Sequence, residues 1–118
     1  MNTPQLKTTR MWLLEAKKNQ DIAQAEYDAE FRLLKDYEKE LTAAFNANVG
    51  MEEFMAIREM KRLQTKIVRD AHHRLTLAMH AVDLAETEYD MAFASAAIAS
   101  AAAADAAHHH GASATTSR

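Results

Sequence analysis

The chain has 118 residues, a length that suits one domain, and 25 of these residues are alanine. Two glycines, one proline and no cysteine exclude disulfides, thiolate metal sites and glycine-rich phosphate loops, and they disfavour β-rich folds. The formal net charge of −3 at pH 7 gives no indication of a polyanionic partner.

Neither a targeting signal nor a membrane span is recognisable in the sequence. The apolar run at residues 11–14 is too short for the core of a signal peptide. No stretch approaches the roughly 20 strongly apolar residues that cross a bilayer. We therefore expect no membrane contact, and a location in the cytoplasm or in an assembly built there.

The first predicted helix covers about residues 4–46. Thr3 is a suitable N-cap, and Pro4 suits the first helical position because its missing N–H costs nothing there. The next strong punctuation is Asn-Ala-Asn-Val-Gly at residues 46–50, where asparagine and glycine tolerate a left-handed backbone. The chain is therefore predicted to reverse direction over about residues 47–51.

The second predicted helix covers about residues 52–109. Glu52 and Glu53 lie in its first turn, where carboxylates complement the positive end of the helix dipole. Gly111 follows three histidines and suits the position just past a helix end. We expect residues 1–110 to form a single helical-hairpin domain and residues 111–118 to form a flexible tail.

Both predicted helices repeat apolar or small residues with heptad spacing. The repeats alternate steps of three and four residues, which is typical of a coiled-coil seam. In helix 1 the two lines are Leu6, Leu13, Gln20, Tyr27, Leu34 and Leu41, with Ala16, Ala23, Tyr37 and Ala44. In helix 2 they are Val68, Leu75, Val82, Tyr89, Ala96 and Ala103, with Ala71, Ala78, Ala85, Ala92, Ala99 and Ala106. The predicted fold is all-α, a long antiparallel, coiled-coil-like hairpin whose second helix is the longer.

Charge favours the same antiparallel pairing. Residues 21–40 sum to −4 and residues 61–74 to +4, while residues 7–18 sum to +3 and residues 83–90 to −4. A fold at the turn brings blocks of opposite sign together, within one chain or between two chains of a swapped dimer. Such pairs select register and direction more than they add stability.

The predicted hairpin leaves part of its apolar surface uncovered. Helix 2 is expected to extend past helix 1 by about 15 residues, or roughly 20 Å, at a rise of about 1.5 Å per residue. Large apolar residues outside the seams, such as Leu63, Ile67 and Leu84, add to this surface. A two-helix hairpin has a thin core, so we expect oligomerisation or a docked partner to complete a helical bundle.

The uncovered residues concentrate at the end of the hairpin away from the turn. Trp is favoured at binding hot spots, and Met suits adaptable surfaces. Self-association, to a dimer or higher, and a different protein partner are both compatible with this end of the hairpin. The predicted partner-binding residues are Met11, Trp12, Leu14, Leu84, Met91, Phe93, Ile98, Ala99 and Ala103.

Catalytic, cofactor and metal sites are not indicated. His72, His73 and His80 have no histidine on helix 1 to converge with, and a helical metal site needs ligands from several helices. The sequence shows no nucleophile with a nearby base and no nucleotide motif. We expect a protein without enzymatic activity, and no role is assigned to His108, His109 and His110.

Nucleic-acid binding is the alternative from another functional class. A basic stripe at helical spacing would contact phosphates, although the acidic block of helix 1 faces it and no aromatic residues interleave. The candidate residues are Arg58, Lys61, Arg62, Lys66, Arg69 and Arg74. The preferred hypothesis is a protein–protein interaction or assembly protein, acting as a scaffold, structural component, adaptor or inhibitor, that presents a rigid hairpin and an alanine-rich helical extension.

Overall fold

The computed structural model describes residues 3–116, and it describes their side chains as far as residue 107. Over the described residues it contains two helices, α1 (Pro4–Asn46) of 43 residues and α2 (Met51–Thr116) of 66 residues. This confirms the predicted all-α helical hairpin with a longer second helix. Both ends of α1 and the start of α2 fall within one residue of the predicted bounds.

Two compact units make up the chain, and each contains a part of both helices. The closed-end unit is Lys17–Ala81 and includes the turn. The open-end unit combines Met1–Ala16 with Val82–Arg118. Within each unit the two helical segments run antiparallel. That residues 1–110 form a single domain stays a prediction.

The start of α1 is capped as the sequence predicts. The hydroxyl oxygen of Thr3 accepts a hydrogen bond from the N–H of Leu6 at 3.0 Å, and the carbonyl of Thr3 accepts one from Lys7. An N-cap side chain of this kind satisfies one of the four N–H groups that a helix start leaves unpaired. Thr3 therefore fixes where α1 begins.

The turn depends on Asn48 rather than on Gly50. Asn48 has a φ of 54°, in the left-handed region. The N–H of Val49 donates to Ala44 O at 3.3 Å and that of Asn48 to Phe45 O at 3.2 Å, which is the Schellman pattern of a helix end. Gly50 has no left-handed backbone, and its carbonyl instead accepts the N–H of Phe54 at the start of α2.

The predicted end of α2 is wrong. The helix does not stop at about residue 109 but continues through Gly111 to Thr116. One glycine inside a helix costs only about 1 kcal/mol relative to alanine, and the alanine-rich sequence before it strongly favours the helix. The side chains of 108–118, including the three histidines, lie outside the described residues, as do residues 117–118 of the predicted tail.

The heptad lines form the core of each unit. All ten buried hydrophobic residues among the described side chains belong to the predicted lines. In the closed-end unit these are Ala23, Leu34, Ala44, Ala71 and Leu75. In the open-end unit they are Leu6, Val82, Ala85, Ala92 and Ala96. Ala71 is only 1% exposed, because small side chains on one line let the two helix backbones approach closely.

Two polar residues continue the seam where the hydrophobic pattern is interrupted. Gln64 is 4% exposed, and its side-chain NH₂ donates to the backbone oxygen of Glu30 at 2.9 Å and to its carboxylate at 2.7 Å. Thr9 is also buried, and its hydroxyl donates to the carbonyls of Gln5 and Leu6. Gln64 links α2 to α1 at one defined position along the helix axes, so it helps to set the register between the two helices.

The predicted charge blocks contribute few ion pairs between the helices. Within the closed-end unit, Arg74 lies 3.7 Å from Glu26 on the opposite helix, and both side chains are about half exposed. The pairs Lys35–Glu38 and Arg62–Glu59 each lie within one helix. Over the described side chains, no ion pair joins the basic start of α1 to the acidic stretch of α2.

Candidate interaction surface at the open end

Every predicted partner-binding residue is exposed in the open-end unit. The larger ones range from 44% exposed for Phe93 to 70% for Ile98, and Trp12 is 55% exposed. Ala99 and Ala103 are exposed as well. Large apolar side chains left in water at this density are typical of a surface that binds another protein.

Trp12 and Met91 are brought together in one groove. The groove has a volume of about 430 Å³ and lies between the start of α1 and the middle of the α2 segment. Glu88 contributes the one charged side chain among its lining residues, and buried Thr9 is also part of it. The remaining lining residues are Pro4, Gln5 and Thr8. The groove therefore combines an apolar wall with a single negative charge.

Leu14 and Phe93 do not join this groove. Successive helical residues are rotated by about 100°, so a residue two positions away lies on nearly the opposite side of its helix. This places Leu14 away from Trp12, and Phe93 away from Met91. Phe93 instead contacts Tyr89 on its own helix, with ring centroids 6.5 Å apart. The predicted residues thus surround the unit rather than form one continuous patch.

Leu84 and Ile98 lie on the same side of α2 as Met91. Each is seven residues from Met91, two helical turns away, and all three are at least 65% exposed. Met11, which directly precedes Trp12 and is 69% exposed, lies on the outer side of α1. The groove and this line of α2 side chains form what we call the open-end surface: Trp12, Leu84, Glu88, Met91 and Ile98.

The α2 extension, residues 98–107, continues the seam without a partner helix. Ala92 and Ala96 are buried, whereas Ala99 and Ala103, which follow them seven residues later on their two heptad lines, are exposed. All ten residues of this extension are exposed, over about 15 Å of helix at 1.5 Å per residue. A small-residue face that is buried earlier in the helix is therefore available here to another helix.

Glu88 lines the groove but was not among the predicted site residues. It was counted only within an acidic block. The signal that was available is its place directly before Tyr89 on the seam, which puts it at the edge of the interface between the helices. Glu88 gives the groove a charge preference that the apolar residues alone do not provide.

The six basic residues of the nucleic-acid alternative lie on different sides of α2 in the closed-end unit. Lys61 falls on the seam and is half-buried, and Arg74 contacts Glu26. Arg62 donates a side-chain hydrogen bond to Glu59, which lowers the pKa of that carboxyl. Arg58, Arg62, Lys66 and Arg69 do share one exposed face. That this face binds nucleic acid stays a prediction.

Neither a metal-binding cluster nor a membrane-spanning helix is found in the part of the chain that the structure describes. Among the described residues, no three His, Asp or Glu side chains converge on one point. His72 packs against Tyr27, with ring centroids 5.5 Å apart. Over residues 3–116 neither helix has a stretch long and apolar enough to cross a bilayer.

Comparison with known proteins returns no relative. No protein family, no curated protein and no solved structure matches this chain.

Proposed function

We propose that this chain is a non-enzymatic protein–protein interaction or assembly protein whose open-end surface binds a helix of another protein. The observation that carries the proposal is the exposed groove around Trp12 and Met91, with Leu84 and Ile98 exposed on the same side of α2. A tryptophan beside a methionine in a partly enclosed groove has the composition of a binding hot spot.

An amphipathic helix suits this surface best. Its apolar side would cover Trp12 and Met91, and a basic residue on it would complement Glu88. Farther along α2, small residues of the same partner would pack on Ala99 and Ala103, in the place that α1 occupies beside Ala92 and Ala96. The partner helix therefore completes a helical bundle rather than inserting into a deep pocket.

Removal of residues 98–118 tests the contribution of the α2 extension. The shortened chain is expected to stay a folded hairpin, because all buried residues described lie at or before Ala96. Its thermal unfolding midpoint should stay within a few degrees of that of the full chain. Less partner is expected to co-purify with the tagged protein from cells that make it.

The control for this truncation is a full-length variant that keeps the helical extension but replaces two of its small side chains with larger, charged ones. Ala99→Glu with Ala103→Glu preserves the length of α2 and places charge where the partner is proposed to pack. Equal partner recovery from the full chain, the truncation and this double variant would contradict a role for the extension. Circular dichroism confirms that each variant is folded.

A further inference from the structure

One side of α2 in the closed-end unit carries a second heptad line. Met60, Leu63, Ile67 and Leu77 are 44% to 55% exposed, and Asp70 and Arg74 between them are exposed too. The steps along these six residues alternate three and four, as in a coiled-coil seam. We call this set the α2 flank.

The α2 flank is separate from the seam that contacts α1. Each flank residue directly precedes a seam position, so the flank is rotated by about 100° around α2. Thus Ile67 precedes Val68, and Arg74 precedes Leu75, which is buried. The flank is therefore free to contact another helix while the hairpin remains intact.

The residues of the flank are arranged so that two copies, placed side by side and antiparallel, complement each other. Apolar residues lie on both sides of a central acidic and basic pair. In an antiparallel pair of helices, Asp70 of one copy faces Arg74 of the other, and Arg74 of the first faces Asp70 of the second. At the same register Ile67 faces Leu77, and Leu63 faces Ala81, which is also exposed.

We propose that two copies of this chain associate through the α2 flank, antiparallel, with the twofold axis beside His72. A parallel pairing in register would place Asp70 against Asp70 and Arg74 against Arg74, and like charges at such positions oppose association. The antiparallel register converts both repulsions into attractions. It also pairs Leu63, Ile67 and Leu77 with an apolar or small residue.

The ion pair of Arg74 with Glu26 is compatible with this arrangement. Its 3.7 Å separation is long, and both side chains are about half exposed. A guanidinium has five N–H donors and can contact two carboxylates at once. Arg74 would therefore bridge Glu26 of its own chain and Asp70 of the second copy.

The solution mass of the purified full chain, measured by light scattering after size exclusion at several concentrations, tests the proposal. We expect a mass of twice 13.2 kDa. Asp70→Arg should shift the chain to the monomer, with at least a tenfold rise in the dissociation constant. The exchange Asp70→Arg with Arg74→Asp should restore the dimer, because each pair then has its charges reversed but still opposite.

The control is Arg69→Asp, a charge reversal at the neighbouring residue on another side of the helix, which should leave the mass unchanged. A monomer at all concentrations would overturn the proposal. So would a dimer that Asp70→Arg leaves intact, or a loss of mass that the exchanged double variant does not recover. Circular dichroism on each variant shows whether the helices are retained.

Disulfide trapping tests the register without relying on a destabilised variant. The natural chain has no cysteine, so Ile67→Cys and Leu77→Cys each carry a single thiol. Ten residues span about 15 Å of helix, whereas a disulfide needs Cα atoms within about 7 Å. Oxidation of a mixture should link the two variants to each other, and Ile67→Cys alone should not form a linked dimer. Self-linkage of Ile67→Cys would indicate a parallel pair and overturn the proposal.

This inference does not rest on the open-end surface. All the residues it uses lie in the closed-end unit, and its tests need only the purified chain. Loss of self-association with retained partner binding, or the reverse, therefore separates the two proposals.

Discussion

Replacement of Trp12 and Met91 together by alanine is expected to abolish partner binding while leaving the hairpin folded. Both side chains are more than half exposed in the chain alone, so their truncation removes little buried area from the fold. Truncation of a hot-spot tryptophan costs about 2 kcal/mol or more of binding free energy, which is roughly a thirtyfold loss of affinity. The measurement is the amount of partner that co-purifies with the tagged variant, alongside its circular dichroism spectrum.

The matched control for this variant is Leu14→Ala with Phe93→Ala. These side chains have similar exposure and the same apolar character, but they lie outside the groove. The control should retain most of the partner. If both double variants weaken binding equally, the groove is not the site, and general apolar exposure explains the association better.

Leu34→Ala is expected to cause one of the largest losses of stability from a single substitution in the closed-end unit. Leu34 is 8% exposed and belongs to the seam of a core only two helices thick. Removal of a buried leucine side chain costs about 2–5 kcal/mol, through lost burial and the cavity it leaves. Urea unfolding followed by circular dichroism, with all variants at the same protein concentration, measures the free energy of unfolding.

The neighbouring residue supplies the comparison. Leu33→Ala removes the same atoms from a side chain that is 40% exposed, so its cost should be about 1 kcal/mol or less. A similar loss for both variants would mean that the seam does not run where the structure places it. A negligible loss for Leu34→Ala would contradict the two-helix core itself.

Most of the fold follows from two features of the sequence: the heptad repeat of apolar residues and the residues that begin and end helices. The heptad lines contain all ten hydrophobic residues that are buried among the described side chains, since a 3,4 repeat keeps one stripe of a long helix facing its neighbour. Thr3 caps α1, and the turn falls at the asparagine-rich break, because these residues satisfy local backbone requirements that do not depend on distant packing.

The features that were not predicted depend on tertiary contacts or on small energy differences. Hydrophobic periodicity does not predict that Gln64 is buried, because the burial of this polar residue depends on the position of Glu30 in the opposite helix. The charge blocks correctly indicate the antiparallel direction, but long exposed side chains leave only Glu26–Arg74 as an ion pair between the helices of the closed-end unit. Gly111 is a weak helix breaker within a strongly helix-forming sequence.

The sequence predicts which residues belong to the candidate site, but it does not predict which of them lie side by side on one surface. Composition and position along the hairpin are sufficient to select Trp12 and Met91, and the structure adds that they share a groove with Glu88. Rotation around each helix separates Leu14 and Phe93 from that groove. Such grouping requires the register between the two helices, which the spacing of residues within each helix does not give.

Photo-crosslinking at the groove is the most direct test of the central claim that the open-end surface binds another protein. A benzophenone amino acid replaces Met91 in one variant and Phe93 in another. Phe93 is exposed, lies on nearly the opposite side of the same helix and does not line the groove. The proposal predicts, in cells that make the protein, a discrete adduct with a different protein from position 91 and none from position 93. No adduct at position 91, equal adducts at both positions, or an adduct of twice the chain's own mass and no other would contradict it.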